Sequence, residues 1–448
     1  MKLWGYQAEV GRAIVESVLS RDGRVITVEI ARQGGKNEIS AHIELLLLVL
    51  FSPYGGNIIK ASPSFDPQGL ISVRRLEERL GEYGFSGFYR RGRNFIGLGD
   101  ARVYFLSADR DSKVMGMTAD ILLEVDEAQD VIKEKFWREF RPMGASRNAT
   151  CVLYGTPWDG DSLLEEVKEM NIKLERKDGI RRHFSYSWEE VSKFNPAYRR
   201  YVEAERERLG EEHPLFKTQY CLEPVRSGKL FSERALLLME GDFGRLSSPL
   251  GGVYIGGLDV AGEGYSRTVL TIGELDFSDA SPVYREPSIR VVEHVSWEGV
   301  PVSELVPELC EVIKLWGLKR VCVDSTGIGE GVYSMLRRAL GRVIKPFKFT
   351  QRSKSELGFK LLSAVNSGRL KVYRDESSYD LRNFWEEVRR ARSVYKPGRV
   401  MDFGVFDGRD DYVMSLALLV EASEFKERVA EGRGRDGLGA LGVQGRGM

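Results

Sequence analysis

The sequence has few of the residues that build several common kinds of site. Its four cysteines include no Cys-x-x-Cys pair, which argues against a zinc ribbon and against a disulfide framework. Only four histidines occur among 448 residues, and this scarcity disfavours a histidine-rich metal centre. Any metal ion would instead be held by carboxylates, which are ligands that suit Mg²⁺ or Mn²⁺.

Long apolar runs and net charge are lacking as well. The longest apolar run, residues 45–51, is far shorter than the ~20 residues of a membrane span, and the first residues show no apolar core of a signal peptide. We therefore expect a cytoplasmic protein with no membrane partner. The formal net charge is zero, so any binding to nucleic acid must use local basic patches. Asn and Gln together number only 15, and few amides beside many charges are typical of thermophilic proteins.

The chain is long enough for two or three domains. Predicted strands alternate with helices over the first 160 residues, which favours an α/β fold with a mainly parallel sheet. Three further strands, a helix and a fourth strand between residues 253 and 324 follow the order of an RNase H-like fold. We predict a first domain at 1–225, a linker at 226–250, a second domain at 251–425, and a disordered Gly- and Arg-rich tail at 426–448.

A candidate phosphate loop, Ala-Arg-Gln-Gly-Gly-Lys-Asn at 31–37, joins a predicted strand directly to a helix. Backbone N–H groups at a helix N-terminus bind phosphate, and glycines let the backbone approach closely. Lys36 would reach the β- and γ-phosphates. The usual pattern is Gly-x-x-x-x-Gly-Lys-Ser/Thr, from which this loop departs at Ile30 and Asn37. A Gly-Gly-Lys turn without function is the ordinary alternative.

An apolar strand ending in Asp126 and Glu127 is the second sign of an ATPase. P-loop ATPases present one such acid to Mg²⁺ and the next to the attacking water. Gln7, close to two aromatic residues, could read the adenine edge, and Thr156, at the end of the next strand, could sense the γ-phosphate. A surface glutamine and a strand-ending turn are the simpler explanations of these last two.

Four aspartates in the second half form a candidate nuclease site. Asp259 ends the first predicted strand and Asp324 the fourth, and these strands are neighbours in an RNase H-like sheet. Asp410 and Asp411 open a late helix. Three or four carboxylates suit two divalent ions ~3.5–4 Å apart, which activate water and stabilise the leaving oxygen. Each aspartate alone could sit in a turn or cap a helix. Which of Asp410 and Asp411 binds metal directly is left open.

Several motifs, in this order, resemble the large subunit of a tailed-virus terminase. They are Tyr-Gln at 6–7, Arg-Gln-Gly-Gly-Lys-Asn-Glu at 32–38, Val-Asp-Glu-Ala-Gln at 125–129, Tyr-Gly-Thr-Pro at 154–157, and the segment 216–224. The late Gly-Arg-Asp-Asp motif also fits, although Arg409 stands where the family often has His. The resemblance spans about residues 1–425. It implies a P-loop ATPase domain of the additional-strand (ASCE) type, followed by an RNase H-like mixed-sheet nuclease domain.

The resemblance also implies a role for each motif residue. It assigns Asp126 to Mg²⁺, Glu127 to water activation and Thr156 to coupling. The nucleotide contacts would come from Gln7, Arg32, Gln33, Gly34, Gly35, Lys36 and Asn37. The nuclease would use Asp259, Asp324 and Asp411 as catalytic residues, with Asp410 as a further metal ligand. Many family members carry a trans-acting arginine where this chain has Met115. Lys113 or Arg110 could take its place, or the residue lies elsewhere, and none is assigned.

The implied function is that of a viral DNA-packaging motor subunit. ATP hydrolysis would drive double-stranded DNA into a procapsid, and the nuclease would cut concatemeric DNA. The implied partners are viral DNA, a portal protein, a small terminase subunit and further copies of the chain in a ring, docked on the portal in the host cytoplasm. Two alternatives stay open: a helicase–nuclease of repair or defence, and a non-catalytic assembly protein derived from such an enzyme, which Asn37 and Met115 favour.

Overall fold

The computed structural model describes residues 3–112, 114, 116–261, 267–278 and 286–424. Lys113, Met115 and the predicted tail at 426–448 lie outside the described residues. Within the described ranges, no helix combines the length and the apolar character that crossing a membrane requires.

Strands and helices alternate in the first half of the chain. The strands are β1 (Val25–Ile30), β2 (Gly56–Ser62), β3 (Tyr89–Arg91), β4 (Phe95–Leu98), β5 (Ala101–Ser107), β6 (Leu122–Val125), β7 (Thr150–Gly155) and β8 (His183–Tyr186). The helices are α1 (Gly5–Ser20), α2 (Lys36–Phe51), α3 (Leu70–Glu82), α4 (Lys133–Lys135), α5 (Leu163–Asp178), α6 (Trp188–Ser192), α7 (Pro196–Leu209) and α8 (Pro214–Phe216). The predicted α/β class is therefore confirmed.

The first sheet has the strand order β3-β4-β5-β2-β6-β7-β1-β8. In this spatial order, the six strands β5, β2, β6, β7, β1 and β8 are parallel to one another. Strand β4 pairs antiparallel with β5 at the edge of the sheet. Strand β7 lies between β1, which leads into the phosphate loop, and β6, which ends in the two acids. This inserted strand is the additional strand of the predicted ATPase fold. Because the strands are parallel, their carboxyl ends and the loops that follow them meet at one edge of the sheet.

Helices α1 and α2 cover the sheet with different apolar patterns. In α1 the buried apolar residues Tyr6, Val10, Ile14 and Val18 recur every four positions, which gives one apolar stripe. Helix α2 is apolar on most sides, and Leu47 is fully buried. The apolar run that is too short for a membrane span is therefore part of the core of the first half.

Strands and helices of the second half build a mixed sheet. The strands are β9 (Gly228–Lys229), β10 (Glu240–Gly244), β11 (Val253–Asp259), β12 (Arg267–Asp276), β13 (Ser288–Glu298), β14 (Arg320–Asp324), β15 (Ile344–Phe347), β16 (Leu370–Arg374), β17 (Arg392–Lys396) and β18 (Val400–Gly404). The helices are α9 (Glu233–Met239), α10 (Val302–Leu315), α11 (Gly329–Leu340), α12 (Gln351–Asn366), α13 (Tyr379–Arg390) and α14 (Asp411–Ser423).

The second sheet has the order β10-β16-β13-β12-β11-β14-β15. Strands β11, β12 and β13 form an antiparallel meander, and β14 then returns parallel to β11 across helix α10. This is the RNase H-like arrangement, and it places the first and fourth strands side by side as predicted. Leu258 pairs with Val323, so the next residues, Asp259 and Asp324, lie at the same edge.

Residues 226–250, predicted to be a linker, carry regular structure. Strand β10 pairs with β16, and β9 pairs with β17 in a small sheet with β18. Helix α9 buries Ala235 and Met239 in the core of the second half. This segment is therefore tied to the second half, while the division of the chain into domains stays a prediction.

Candidate active sites

The candidate phosphate loop makes a tight turn between β1 and α2. Gly34 N–H donates to the Ala31 carbonyl at 2.8 Å, and Gln33 and Gly35 both have positive φ angles, 63° and 92°. Gly35 is the residue before the first turn of α2, so the turn ends where the helix N-terminus begins. Lys36 Nζ donates to the Ile30 carbonyl at 3.2 Å, which places its ammonium across the loop.

Residues from α1 support the loop from below. Tyr6 donates its hydroxyl hydrogen to the Gly34 carbonyl at 2.5 Å. Gln7 is buried and accepts the Trp4 N–H at 2.9 Å, and its Nε2 lies beside Gly35, 2.3 Å from where a Cβ would stand. Gln7 is thus not a surface residue but a packing partner of the loop. Its predicted adenine contact stays a prediction.

Arg32 lies on the exposed side of the loop and is held by the segment 216–224. Its Nη1 donates to Gln219 Oε1 at 2.7 Å, and its backbone N–H donates to the Gln219 carbonyl at the same distance. Tyr198 donates to the Arg32 carbonyl at 2.8 Å. The segment that the sequence likens to a closing motif therefore contacts the loop directly. Asn37 is half-buried in the first turn of α2.

Asp126 and Glu127 follow β6 at the edge of the sheet that carries the loop. Burial raises the pKa of Asp126, Lys60 opposes this, and Glu127 adds to the rise. Burial also raises the pKa of Glu127, but Lys36, Arg399 and a hydrogen bond from Gln129 outweigh it, so the net pKa is lowered. Lys36 thus acts electrostatically on both acids, and Glu127 is ionised at neutral pH.

Gln129 links the acid pair to Thr156, although the sequence motifs predict no role for it. Its Nε2 donates to Glu127 Oε2 at 2.6 Å, and its Oε1 accepts the Thr156 N–H at 3.2 Å. Gly155 makes room for it, because a Cβ there would lie 2.3 Å from Gln129 Oε1. Thr156, predicted to act in coupling, is buried and is tied to Glu127 through this one amide.

Three of the predicted nuclease aspartates act electrostatically on the fourth, Asp259. Burial raises the pKa of Asp259 well above its ordinary value, and Asp324, Asp411 and Asp410 raise it further. Burial also raises the pKa of Asp324, against a hydrogen bond from Thr326 N–H at 2.8 Å.

The two aspartates at the start of α14 have different surroundings. Burial raises the pKa of Asp411, and its Oδ2 accepts the Arg267 N–H at 3.2 Å, which opposes the rise. Burial raises the pKa of Asp410, and Lys354 opposes this. Arg409, which stands where the family often has His, instead pairs with Glu298 at 2.8 Å.

The charge of the four aspartates suits a divalent ion, whereas the distances between their side chains are too long to hold one. Across the described residues, no three His, Cys, Asp or Glu side chains converge closely enough to hold a metal ion. Yet the carboxylates raise the pKa of Asp259 together, a mutual repulsion that a cation relieves. The aspartates therefore offer the oxygen ligands and the charge that Mg²⁺ or Mn²⁺ prefers.

Helix α14 is held in place by contacts with helix α13 and strand β11 that the sequence did not indicate. Glu387 of α13 accepts the Tyr412 and Val413 N–H groups at 2.8 and 3.4 Å, so it caps α14 beside Asp411. Burial raises the pKa of Glu387 to about 8, against the Tyr412 hydrogen bond. Gly257 of β11 lies so close to α14 that a Cβ would stand 2.2 Å from Leu419 N.

The comparisons with known proteins agree with this architecture. A family model described as the terminase RNaseH-like domain matches residues 288–418. This part of the chain is similar to that family. The match takes in α14 as far as Leu418, with Asp324, Asp410 and Asp411. Comparison with curated proteins finds no significant match.

Solved terminase structures share the fold of 95% of the chain. The large terminase of a thermophilic bacteriophage is 13% identical, with a TM-score of 0.57 over 95% of this chain and 100% of that one. The same phage protein in complex with ADP and with ATP-γ-S gives TM-scores of 0.54 and 0.53, again at 13% identity and the same coverage. The predicted resemblance to a terminase large subunit is thereby confirmed. At 13% sequence identity, these structures are evidence for the fold alone.

Proposed function

We propose that this chain is the large subunit of a viral DNA-packaging motor. It would hydrolyse ATP to move double-stranded DNA into a procapsid and would cut concatemeric DNA with its nuclease domain. The proposal is supported by two features that occur in one chain. Lys36 acts electrostatically on Asp126 and Glu127, and the second half matches a terminase RNaseH-like domain and carries clustered aspartates.

In the first half, we assign the nucleotide to the loop before α2. The backbone from Gly34 to Asn37 and the N-terminus of α2 would bind phosphate oxygens, with Lys36 neutralising their charge. Arg32 would add an outer phosphate contact. Asp126 would hold Mg²⁺, which supplies charge neutralisation to the phosphates when bound. Gln33 lies at the exposed tip of the loop, and Gln7 would contact the adenine.

Glu127 would orient and deprotonate the attacking water. Its lowered pKa keeps it ionised, so it can accept a hydrogen bond from water at neutral pH. Gln129 would transmit a shift of Glu127 to Thr156, since it hydrogen-bonds both. This gives the predicted coupling role of Thr156 a physical path.

In the second half, we assign metal binding to Asp259, Asp324, Asp411 and Asp410. Divalent ions supply the activated water and stabilise the leaving oxygen in such sites. The chain's part is to hold its carboxylates at one sheet edge. The sheet provides Asp259 and Asp324 from neighbouring strands, and α14 brings the other two. A ring of copies on a portal, with a small terminase subunit, would supply the DNA grip that one neutral chain lacks.

The test is plasmid cleavage by the full chain with Mg²⁺ or Mn²⁺, together with binding of ATP-γ-S. Asp324→Ala should abolish cleavage and keep nucleotide binding. Lys36→Ala should weaken nucleotide binding and keep cleavage. Matched controls are Asp276→Ala, at the opposite end of β12 from the cluster, and Lys173→Ala, on the exposed side of α5. Both controls should behave as wild type.

Three results would count against the proposal. Folded wild-type protein that cuts no plasmid with either metal would remove the nuclease half. Strand separation of a duplex by the isolated chain, without portal or procapsid, would favour the helicase–nuclease alternative. Absence of both nucleotide binding and cleavage would favour a non-catalytic assembly protein.

A further inference from the structure

One arginine of the second half contacts the acid pair of the first. Arg399 Nη2 donates to Glu127 Oε2 at 2.9 Å and lies 3.6 Å from Asp130 Oδ2. It belongs to the turn of the hairpin β17–β18, which is 272 residues away in sequence from Glu127. Glu127 Oε2 therefore accepts hydrogen bonds from two donors, Gln129 and Arg399.

The backbone at both ends of this ion pair is unusual. Glu127 has φ 46° and Arg399 has φ 60°, and both lie in the left-handed region that residues other than glycine rarely adopt. Such conformations persist only where surrounding contacts enforce them, and they cluster at functional sites. The pair is one of the contacts that hold these two residues in place.

A second contact fixes the same hairpin to the coupling motif. Trp158, two residues after Thr156, donates its indole N–H to the Lys396 carbonyl at 2.9 Å, and its ring meets Tyr395 edge-on at a centroid distance of 5.6 Å. The hairpin thus contacts the first half both at Glu127 and just beyond Thr156. These are the two residues that Gln129 connects.

The other end of the hairpin reaches the nuclease aspartates. Strand β18 ends at Gly404, where a Cβ would lie 2.4 Å from Asp410 Oδ2. From Arg399 to Gly404 an extended chain covers roughly 17 Å. One short strand therefore connects Glu127, at its beginning, with Asp410, at its end.

We propose that Arg399 is a positioning residue that restrains Glu127. Resting on the proposed ATPase function, the inference is that the guanidinium, by holding Oε2, fixes the direction in which the Glu127 carboxylate points. Glu127 is then held toward the hairpin and hydrolysis is slow until engagement of Mg²⁺ and ATP draws Glu127 away. The second half of the chain thereby sets the basal ATPase rate of the first.

The experiment compares full-length wild type with Arg399→Gln, Arg399→Lys and Lys396→Ala. Gln removes the charge while leaving a Cβ at the same backbone position, and Lys restores a cation. Lys396 is the matched control, because its side chain pairs with Asp402 on the hairpin itself. Two quantities are measured: kcat and KM for ATP, and deuterium exchange of residues 392–404 with and without ATP-γ-S and Mg²⁺.

Arg399→Gln should raise kcat by about threefold or more with little change in KM, whereas Arg399→Lys and Lys396→Ala should stay near wild type. ATP-γ-S should increase exchange in the hairpin of wild type, and Arg399→Gln should show that higher exchange without nucleotide. A kcat equal to or below wild type, or a hairpin whose exchange ignores both nucleotide and substitution, would overturn the inference.

The proposed function and this inference fail in different ways. If wild type binds ATP-γ-S through Lys36 but Arg399→Gln changes neither rate nor exchange, only the restraint is refuted. If no variant binds ATP-γ-S, the proposed ATPase is refuted and the restraint with it.

Discussion

Lys60 and Glu44 form a buried ion pair beneath the acid pair, with Nζ 2.9 Å from Oε1. Ser40 joins them to a second carboxylate, since it accepts from Lys60 at 2.6 Å and its hydroxyl lies 3.0 Å from Glu124 Oε1. Burial, reinforced by Glu44, raises the pKa of Glu124 well above its ordinary value. Lys60, Ser40 and the two buried carboxyl groups therefore form one hydrogen-bonded group beneath the sheet edge.

Lys60→Met should destabilise the protein by about 3–5 kcal/mol, because it leaves the Glu44 charge buried without its partner. Urea unfolding measures the loss. The double variant Lys60→Met/Glu44→Leu should recover most of the stability, since it removes both charges. A single variant as stable as wild type would show that the pair contributes little.

Gly35→Ala should weaken binding of ATP-γ-S, because Gly35 has φ 92° and its Cβ would meet Gln7 Nε2 at 2.3 Å. An L-residue at that angle is strained, and the cost is about 1 kcal/mol or more. Isothermal titration measures the affinity. Gly160→Ala, where a Cβ meets nothing within 4 Å, is the control, and an equal effect there would contradict the argument.

Glu387→Ala should slow plasmid cleavage and leave nucleotide binding unchanged, because the start of α14 next to Asp411 loses its cap. Loss of a helix cap typically destabilises by about 1–2 kcal/mol. Cleavage rate and melting temperature are measured together. The neighbouring Glu386, which is exposed, gives the control Glu386→Ala. Normal cleavage in Glu387→Ala would mean that the cap does not position Asp411.

Stability should fall in acid, and His213 contributes to this fall. Burial lowers the pKa of His213 to about 4, against its hydrogen bond to the Phe359 carbonyl at 3.0 Å. The unfolded chain, with a histidine pKa near 6.5, binds more protons between these values. Its contribution, on the order of 3 kcal/mol, is complete above pH 6.5 and is lost as pH falls toward 4.

Urea unfolding at several pH values between 7 and 4.5 measures this dependence. His213→Gln should flatten the slope over that range, while the remaining slope reflects other groups, including His183, whose pKa burial also lowers to about 4. An unchanged slope in the variant would show that His213 is not protonated on unfolding.

Features encoded within a short stretch of sequence were predictable. The strand before the phosphate loop, the strand ending in Asp126 and the strands ending in Asp259 and Asp324 each follow from a local apolar pattern and a polar end. Parallel pairing then brings the carboxyl ends of these strands to one edge of the sheet, so the polar residues that follow them lie close together.

Contacts between distant segments were not predictable in this way. Glu387 reads as one carboxylate on a charged helix, and Arg399 as part of a Pro-Gly-Arg turn. Their partners, Tyr412 and Glu127, are fixed only when the helices and the hairpin are packed. The linker prediction at 226–250 missed regular structure for the same reason, since the partners of β9 and β10 come more than 100 residues later.

The close contact at Gly257 has a consequence for the candidate nuclease site. Ser415 of α14 donates its hydroxyl hydrogen to the Gly257 carbonyl at 2.8 Å. A Cβ at residue 257 would lie 2.2 Å from both Leu419 N and the Ser415 carbonyl oxygen, so helix and strand meet backbone to backbone. Because residue 257 has no side chain, the strand that carries Asp259 and the helix that carries Asp411 can pack this closely. A single methyl group at residue 257 would push α14 away from β11 and so increase the distance between these two carboxylates, without altering either of them.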